Sequence, residues 1–236
     1  MHRLGFSKNE IPELIQRIKA NPMLRVASVF SHLATADNPS EDEFTLSQIH
    51  CFEEGSQMIV DAFPYKVLRH ILNTAGITRF TKYQFDMVRL GIGLYGVPTC
   101  EADKNFLQPV VSLKTTINQI KNIPAGDSIG YNRHGRAEKD MRIGIIPIGY
   151  ADGLSRLLGN GNGKFYIKGQ QVKVIGDICM DMCMLDLTDV EAQEGDTVVI
   201  FDAEHSIFDI AKACQTIPYE IMTSISQRVK RIYYQE

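Results

Sequence analysis

The chain has 236 residues, 44% of them hydrophobic, and a formal net charge of −3 from 25 basic and 28 acidic side chains. That length suffices for one large domain or two smaller ones with their own cores. The near-neutral balance excludes a general nucleic-acid binder, and no apolar run approaches the ~20 residues of a membrane-spanning helix. Residues 1–20 lack the uninterrupted apolar core of a signal peptide. The five scattered cysteines (Cys51, Cys100, Cys179, Cys183, Cys214) read as free thiols of a reducing cytoplasm rather than a disulfide framework.

The chain opens on MHRLGF, a strand-like apolar stretch holding one arginine. SKNEIPELIQRIKA follows as a helix: Ser7 and Glu10 have capping-box spacing, and Ile11, Leu14, Ile15 and Ile18 share one face. RVASVFSHLATAD predicts a buried strand with a polar end, and EDEFTLSQIHCFEEGSQMIVDAF a long amphipathic helix. YKVLRHILNTAG reads as a second strand, TRFTKYQFD as a short helical piece, and MVRLGIGLYG as a third strand. Repeating βα units of roughly 30 residues imply a parallel α/β arrangement, either a barrel or a doubly wound sheet.

Beyond the Pro-bearing polar link at Pro98–Asn105 the pattern changes, which divides the chain into 1–98 and 99–236. PVVSLKTTINQIKNI, DSIGYN, MRIGIIPIGY, KFYIKGQQVKVIG, ICMDMCMLDLT and DTVVIF are short β-branched runs parted by Gly, Asp and Asn turns. They predict an antiparallel β domain interrupted by one short helix in HSIFDIAKAC. A (β/α)8 barrel takes eight strands and about 250 residues. The stub at Met1 and three βα strands make about half of one. Because open strand edges pair or aggregate, the first unit is expected to be either open by design or the second half of a barrel, strands five to eight.

Parallel α/β proteins bind ligands at the carboxyl ends of their strands, which here carry Arg3, His32, Thr74, Arg89, Gly91 and Ile92. A buried guanidinium keeps its proton and needs acceptors. For one such arginine a structural ion pair and a ligand contact weigh evenly. Two arginines and a histidine at three strand ends tilt the balance towards a site for an anion or a polar ring. Gly91 suits close approach of a phosphate, against the strong alternative that Gly91 and Gly93 serve close packing inside a barrel. In the β domain, Tyr131 in GDSIGYNRHG is either a proton carrier or a turn tyrosine, and taken singly the turn reading prevails. Tyr150 lies in the Gly-rich GYADGLSR, and Asp152 and Asp181 are turn or network candidates. Cys179 and Cys183 form a lone C-x3-C pair, a poor zinc site, and are expected in the core. GNGNGK lacks the context of a phosphate loop and is expected as a hairpin turn.

Taken in order, MHRLGF, SHLATAD, VRLGIGLYG, GDSIGYN, PIGYADG, GDICMDMCMLDL and PYEIMTSISQRVKRIY resemble the motifs of alanine racemase over nearly the whole chain. The resemblance implies an α/β plus all-β fold, in which this chain holds the second half of a (β/α)8 TIM barrel and the C-terminal antiparallel β domain. It also implies a pyridoxal 5'-phosphate cofactor, interconversion of L-alanine and D-alanine for peptidoglycan, and a cytoplasmic head-to-tail homodimer whose subunits share the active site. By the same resemblance Tyr131 is the base on one Cα face, acting across the dimer interface. Arg89 faces the pyridine nitrogen, His32 links Arg89 to the tyrosine, and Arg3 lies near the cofactor phenolic oxygen and the substrate carboxylate. Gly91, Ile92 and Tyr219 match phosphate contacts, with Thr74 where the family often has serine. Tyr150 and Met180 match the substrate end, Met180 through its backbone N–H. An arginine cannot fully protonate the pyridine nitrogen, which favours reprotonation at Cα over transamination; the fold-related decarboxylases place a carboxylate there. No motif resembling V-x-K-A-N-A-Y-G-H-G, which carries the family's Schiff-base lysine, occurs in these residues. The expectation is therefore a C-terminal portion of a racemase that does not racemise alanine by itself. Two rival readings stand beside it: a stand-alone, non-catalytic binding domain, and a related racemase acting on serine or another small amino acid.

Overall fold

The computed structural model describes residues 1–234, and the chain divides into two compact units, Met1–Gln108 and Pro109–Glu236.

In the first unit, α1 (Ile11–Lys19) is entered through a 3-10 turn at Lys8–Glu10. The Glu10 carboxylate accepts from the Ser7 N–H and the Ser7 hydroxyl, both at 2.7 Å, so the acidic arm of the expected capping box is in place. Pro12 sits in the first turn, where its missing N–H costs nothing. Ile11 and Ile15 are buried against Ile59 and Val67. The long helix, α2 (Asp42–Ala62), begins with Asp42 and Glu43, whose charges complement its dipole. It buries Ile49 and Phe52 against Leu33, Ile71, Leu72 and Phe80. Strands β1 (Ser28–Phe30) and β2 (Leu68–His70) pair in parallel, Ser28 with Leu68 and Phe30 with His70. Helix α3 (Thr74–Arg79) follows β2, with the Asn73 side chain accepting from the Gly76 N–H at 3.1 Å.

Several expectations for this unit are corrected. MHRLGF is not a strand: its residues are exposed bends, with His2 at φ +50° and Gly5 at φ +110°. Apolar alternation specifies a strand only where a ladder partner satisfies the backbone, and none pairs with this stretch among the described residues. MVRLGIGLYG is not a strand either. Its approach runs beside β2 through two bonds, Asp86 N–H to Arg69 O (3.1 Å) and Arg89 N–H to Leu72 O (3.0 Å), and Ile92–Tyr95 then coil into a 3-10 turn. The helical piece expected in TRFTKYQFD starts earlier, at Thr74, because Asn73 supplies the cap.

The second unit holds β3 (Leu113–Thr116), β4 (Gln119–Ile123), β5 (Ser128–Ile129), β6 (Gly135–Arg136), β7 (Met141–Ile146), β8 (Lys164–Ile167), β9 (Gln170–Ile175), β10 (Cys183–Asp186) and β11 (Thr197–Phe201). Seven of these form one antiparallel sheet in the order β3-β11-β8-β9-β10-β7-β4, and β5 and β6 pair separately. The two end strands, β3 and β4, are arms of one segment bent at Ile117. The sheet therefore curls, because its first and last strands are joined end to end through Ile117. The bend is held on both sides, by Ile117 N–H to Asp196 O (3.0 Å) and Asn118 N–H to Ile145 O (2.8 Å). Inside the curl lie Phe165, Ile167, Val172, Val174, Leu185 and Val198, all almost fully buried. Each contributes about 1.5–3 kcal/mol through the apolar area it removes from water.

The expected helix in HSIFDIAKAC is α4 (Ile207–Ala213), with the Ser206 hydroxyl accepting from the Phe208 N–H. A further helix, α5 (Pro218–Ser224), was not expected; its signal is the proline in its first turn. GNGNGK is not a hairpin turn: it leads from a 3-10 turn into β8, with Asn160 N–H bonding Gly176 O and Gly161 N–H bonding Val174 O. Of the two cysteines expected in the core, Cys183 is fully buried, whereas Cys179 is half-buried with its thiol directed at Asp177 O.

Candidate active site

In the first unit the candidate residues gather on Arg89. Its Nη2 donates to Ser31 O (2.6 Å) and Ile71 O (3.2 Å) and lies 3.3 Å from His32 Nδ1. Its Nη1 donates to His70 O (3.3 Å) and makes a short bond to His70 Nδ1. A guanidinium has only donors, so both imidazole Nδ1 atoms must be acceptors and both rings neutral. Their electrostatics agree. Burial first, then the charge of Arg89, holds the pKa of each histidine below its ordinary value, and Arg3 adds to this at His32. Burial, and then Arg3, lowers Arg89 in the same way. No carboxylate forms an ion pair with Arg89 among the described residues, and its Nε–H is engaged by no protein acceptor there. The Phe30 ring stacks on His70 (centroids 5.1 Å apart) and faces the guanidinium at 5.3 Å. Arg3 is exposed and acts on the cluster through its charge; it lines a trough of about 830 Å³ together with His32 and Phe30.

Thr74, at the start of α3, is buried. Its hydroxyl oxygen accepts the N–H groups of Gly91 (3.0 Å) and Gly93 (3.5 Å), which leaves the hydroxyl proton to be donated. Ile92 opens a 3-10 turn, so its N–H has no partner within the turn. The expectation of close packing holds at Gly93, where a Cβ would come within 2.7 Å of the Thr74 methyl, whereas at Gly91 it would sit 3.4 Å from the Thr74 hydroxyl oxygen.

In the second unit the structure brings Tyr150 and Met180 together. Tyr150 N–H donates to Cys179 O (3.0 Å) and Ala151 N–H to Met180 O (2.8 Å). The two loops approach so closely that a Cβ on Gly149 would lie 2.3 Å from Cys179 O. The Met180 N–H bonds no protein acceptor among the described residues. Asp152, expected in a network, is buried. It accepts from Gly149 N–H (2.9 Å) and Arg228 Nε (2.7 Å), tying the Tyr150 loop to the segment after α5. Tyr131 lies in a 3-10 turn entered through Gly130 at φ +78° and is 65% exposed. Tyr219 lies in the first turn of α5.

Two residues of these clusters were not singled out by sequence reasoning, His70 and Asp177. His70 is buried at the end of β2, the position where a strand-end polar residue signals a site. Asp177 is 6% exposed and gathers His134, Asn160 and Arg156. Its partners come from two separate turns, so no local pattern announces it.

Comparison with known proteins agrees with these motifs. Residues 1–99 match the family described as alanine racemase, N-terminal domain, and residues 110–233 match alanine racemase, C-terminal domain. Both family domains are therefore represented in the chain. An alanine racemase of Clostridium novyi is 38% identical over 99% of this chain and 62% of its own length, and one of Helicobacter pylori is 35% identical over 99% and 65%. The chain thus spans less than two thirds of the length of these curated relatives. Among solved structures, alanine racemase from Streptomyces lavendulae superposes with a TM-score of 0.89 at 31% identity, over 100% of this chain and 64% of that one. The Bartonella henselae enzyme, solved with covalently bound pyridoxal phosphate, superposes with a TM-score of 0.85 at 31% identity, over 99% and 64%.

Proposed function

The chain belongs to the alanine racemase family, and from that membership we propose that its residues serve an enzyme that interconverts L-alanine and D-alanine with pyridoxal 5'-phosphate. Residues 1–98 supply the second half of its (β/α)8 barrel, strands five to eight, and residues 99–236 its β domain. The observation that carries the reading is Arg89: a half-buried guanidinium held by three carbonyls and two neutral imidazoles, with no carboxylate and one N–H to spare among the described residues.

That donor set fits the cofactor. The free Nε–H of Arg89 suits an aromatic ring nitrogen, which it can hydrogen-bond without giving up its proton. The Thr74 hydroxyl and the N–H groups of Gly91 and Ile92, with Tyr219, suit a phosphate. When bound, pyridoxal phosphate supplies the electron sink that acidifies the substrate Cα proton. The chain's own residues then do the rest. Arg89 limits how far charge collects on the ring, and His70 and His32 keep it in register while staying neutral. Tyr131 takes and returns a proton at one face of Cα, a step for which its phenol must be reachable from the substrate. The Met180 N–H and Arg3 hold the substrate carboxylate, and Tyr150 closes the substrate end. The enzyme is a cytoplasmic homodimer whose D-alanine feeds peptidoglycan.

The 236 residues alone contain no lysine in the family's cofactor motif, so by themselves they form no D-alanine. The test is a racemisation assay on the chain alone and on the chain completed to the length of its relatives. Completed protein should convert L-alanine to D-alanine, and Tyr131→Phe should reduce that rate by at least 100-fold. Near-normal racemisation by the Phe variant, or turnover by the 236 residues alone, would overturn the assignment.

A further inference from the structure

We propose that Asp177 is the positioning residue for Tyr131, pinning the turn that carries the tyrosine to the segment that carries Met180. The proposal rests on the reading of Tyr131 as the base and adds a residue to it. Asp177 lies between β9 and β10, three residues before Met180, with only 7% of its side chain exposed. Its carboxylate accepts from Asn160 Nδ2 at 2.8 Å and from His134 Nδ1 at 3.0 and 3.1 Å, with Arg156 Nη2 at 3.4 Å.

The Tyr131 turn needs such an anchor. Its backbone is locally unfavourable: Asn132 and Arg133 are both left-handed, at φ +54° and +57°, a conformation that costs L-residues roughly 1–2 kcal/mol each. The Tyr131 phenol makes no hydrogen bond among the described residues. The backbone bond closing the turn is His134 N–H to Tyr131 O at 3.2 Å. From outside, the paired strands β5 and β6 close the base of the turn, and the His134 ring on Asp177 ties its far end to the β9–β10 segment. Gly130, at its near end, packs against the same place, where a Cβ would stand 3.5 Å from the Asp177 nitrogen. The Asp177 carboxylate thus holds the far end of the turn through His134, while the Asp177 backbone lies close to Gly130 at the near end. The hydrogen bonds from His134 and Asn160 also hold the Asp177 carboxyl below its ordinary pKa, so it stays an ionised, strong acceptor.

Two readouts test this. In the 236-residue chain, trypsin cleavage after the exposed Arg133 is followed by mass spectrometry against cleavage after Lys139. Asp177→Ala and His134→Ala should each speed the Arg133 cut about ten-fold, and the double variant no further than Asp177→Ala, because both remove the same His134–Asp177 bond to the turn. His134 is half-exposed, so its variant folds whether or not the Asp177 variant does. Unchanged cleavage in His134→Ala, or additive effects in the double variant, would overturn the proposal. In the completed enzyme, Asp177→Ala should raise the primary isotope effect on [2-²H]alanine for one enantiomer only, since one face alone depends on Tyr131. Isotope effects unchanged for both enantiomers, whatever the loss of rate, would mean a merely structural role and would overturn it. If the completed wild-type protein does not racemise alanine, the proposed function fails, and the cleavage arm still decides whether Asp177 pins the turn.

Discussion

Replacing Arg89 by methionine tests how a single guanidinium joins the two strand ends. The side chain donates to Ser31 O just after β1 and to His70 O and Ile71 O at the end of β2. His70 O also accepts from the Ser31 N–H at 3.3 Å, so removing the guanidinium leaves it partnered. Ser31 O and Ile71 O lose this donor, and Ile71 is fully buried. An orphaned buried acceptor costs about 1–3 kcal/mol; Ser31 is only half-buried and lies at the low end, which gives roughly 2–4 kcal/mol for the pair. The methionine stem recovers part of this, because no charge then has to be desolvated. A net loss of about 3 kcal/mol is expected, and at 1.4 kcal/mol per factor of ten local opening becomes roughly 100-fold more frequent. Hydrogen exchange of the amides in 28–31 and 68–72 reads this directly. Arg89→Lys, which keeps one charge but not the fork, should fall between wild type and Arg89→Met. Exchange in Arg89→Met within two-fold of wild type would show that the strand ends do not depend on the guanidinium and would refute the reasoning.

Asp103 is fully buried and accepts from Thr99 N–H and hydroxyl, Cys100 N–H and Thr78 hydroxyl. Asp103→Asn should cost about 1–2 kcal/mol and Asp103→Ala about 3 kcal/mol, measured by urea unfolding of the chain. Burial alone would raise this carboxyl, but its hydrogen bonds outweigh burial and hold the pKa below the ordinary value. Its contribution should therefore be complete above the unfolded pKa of about 3.9 and fade as pH falls through the lower folded value; a contribution that fades instead at rising pH would contradict the sign. Gly149→Ala would drive a Cβ into Cys179 O, and the loops should part at a cost of about 1–3 kcal/mol. Faster exchange at the Tyr150 and Ala151 amides is the expected sign, and exchange no faster than wild type would refute it.

What the sequence determined by itself was local. Ser7 and Glu10, the apolar face of α1, the long α2 and the short helix in HSIFDIAKAC are written within a few residues, and helices draw on just such short-range signals. The order of motifs, each too short to decide anything alone, carried the family. Arg89 stood out because a charge inside an apolar run is conspicuous, and physics demands acceptors for it. Tertiary structure decided the rest. MHRLGF and MVRLGIGLYG have strand composition but no ladder here, because a strand needs partners that lie far along the chain. Ile117 gives no hint of being the corner that joins the two end strands of a seven-stranded sheet. His70 and Asp177 became site residues only when Phe30 and Arg89, or His134, Asn160 and Arg156, met them in space. Those meetings depend on contacts between residues 17 to 43 positions apart, a range over which packing, and no local pattern, chooses the partner.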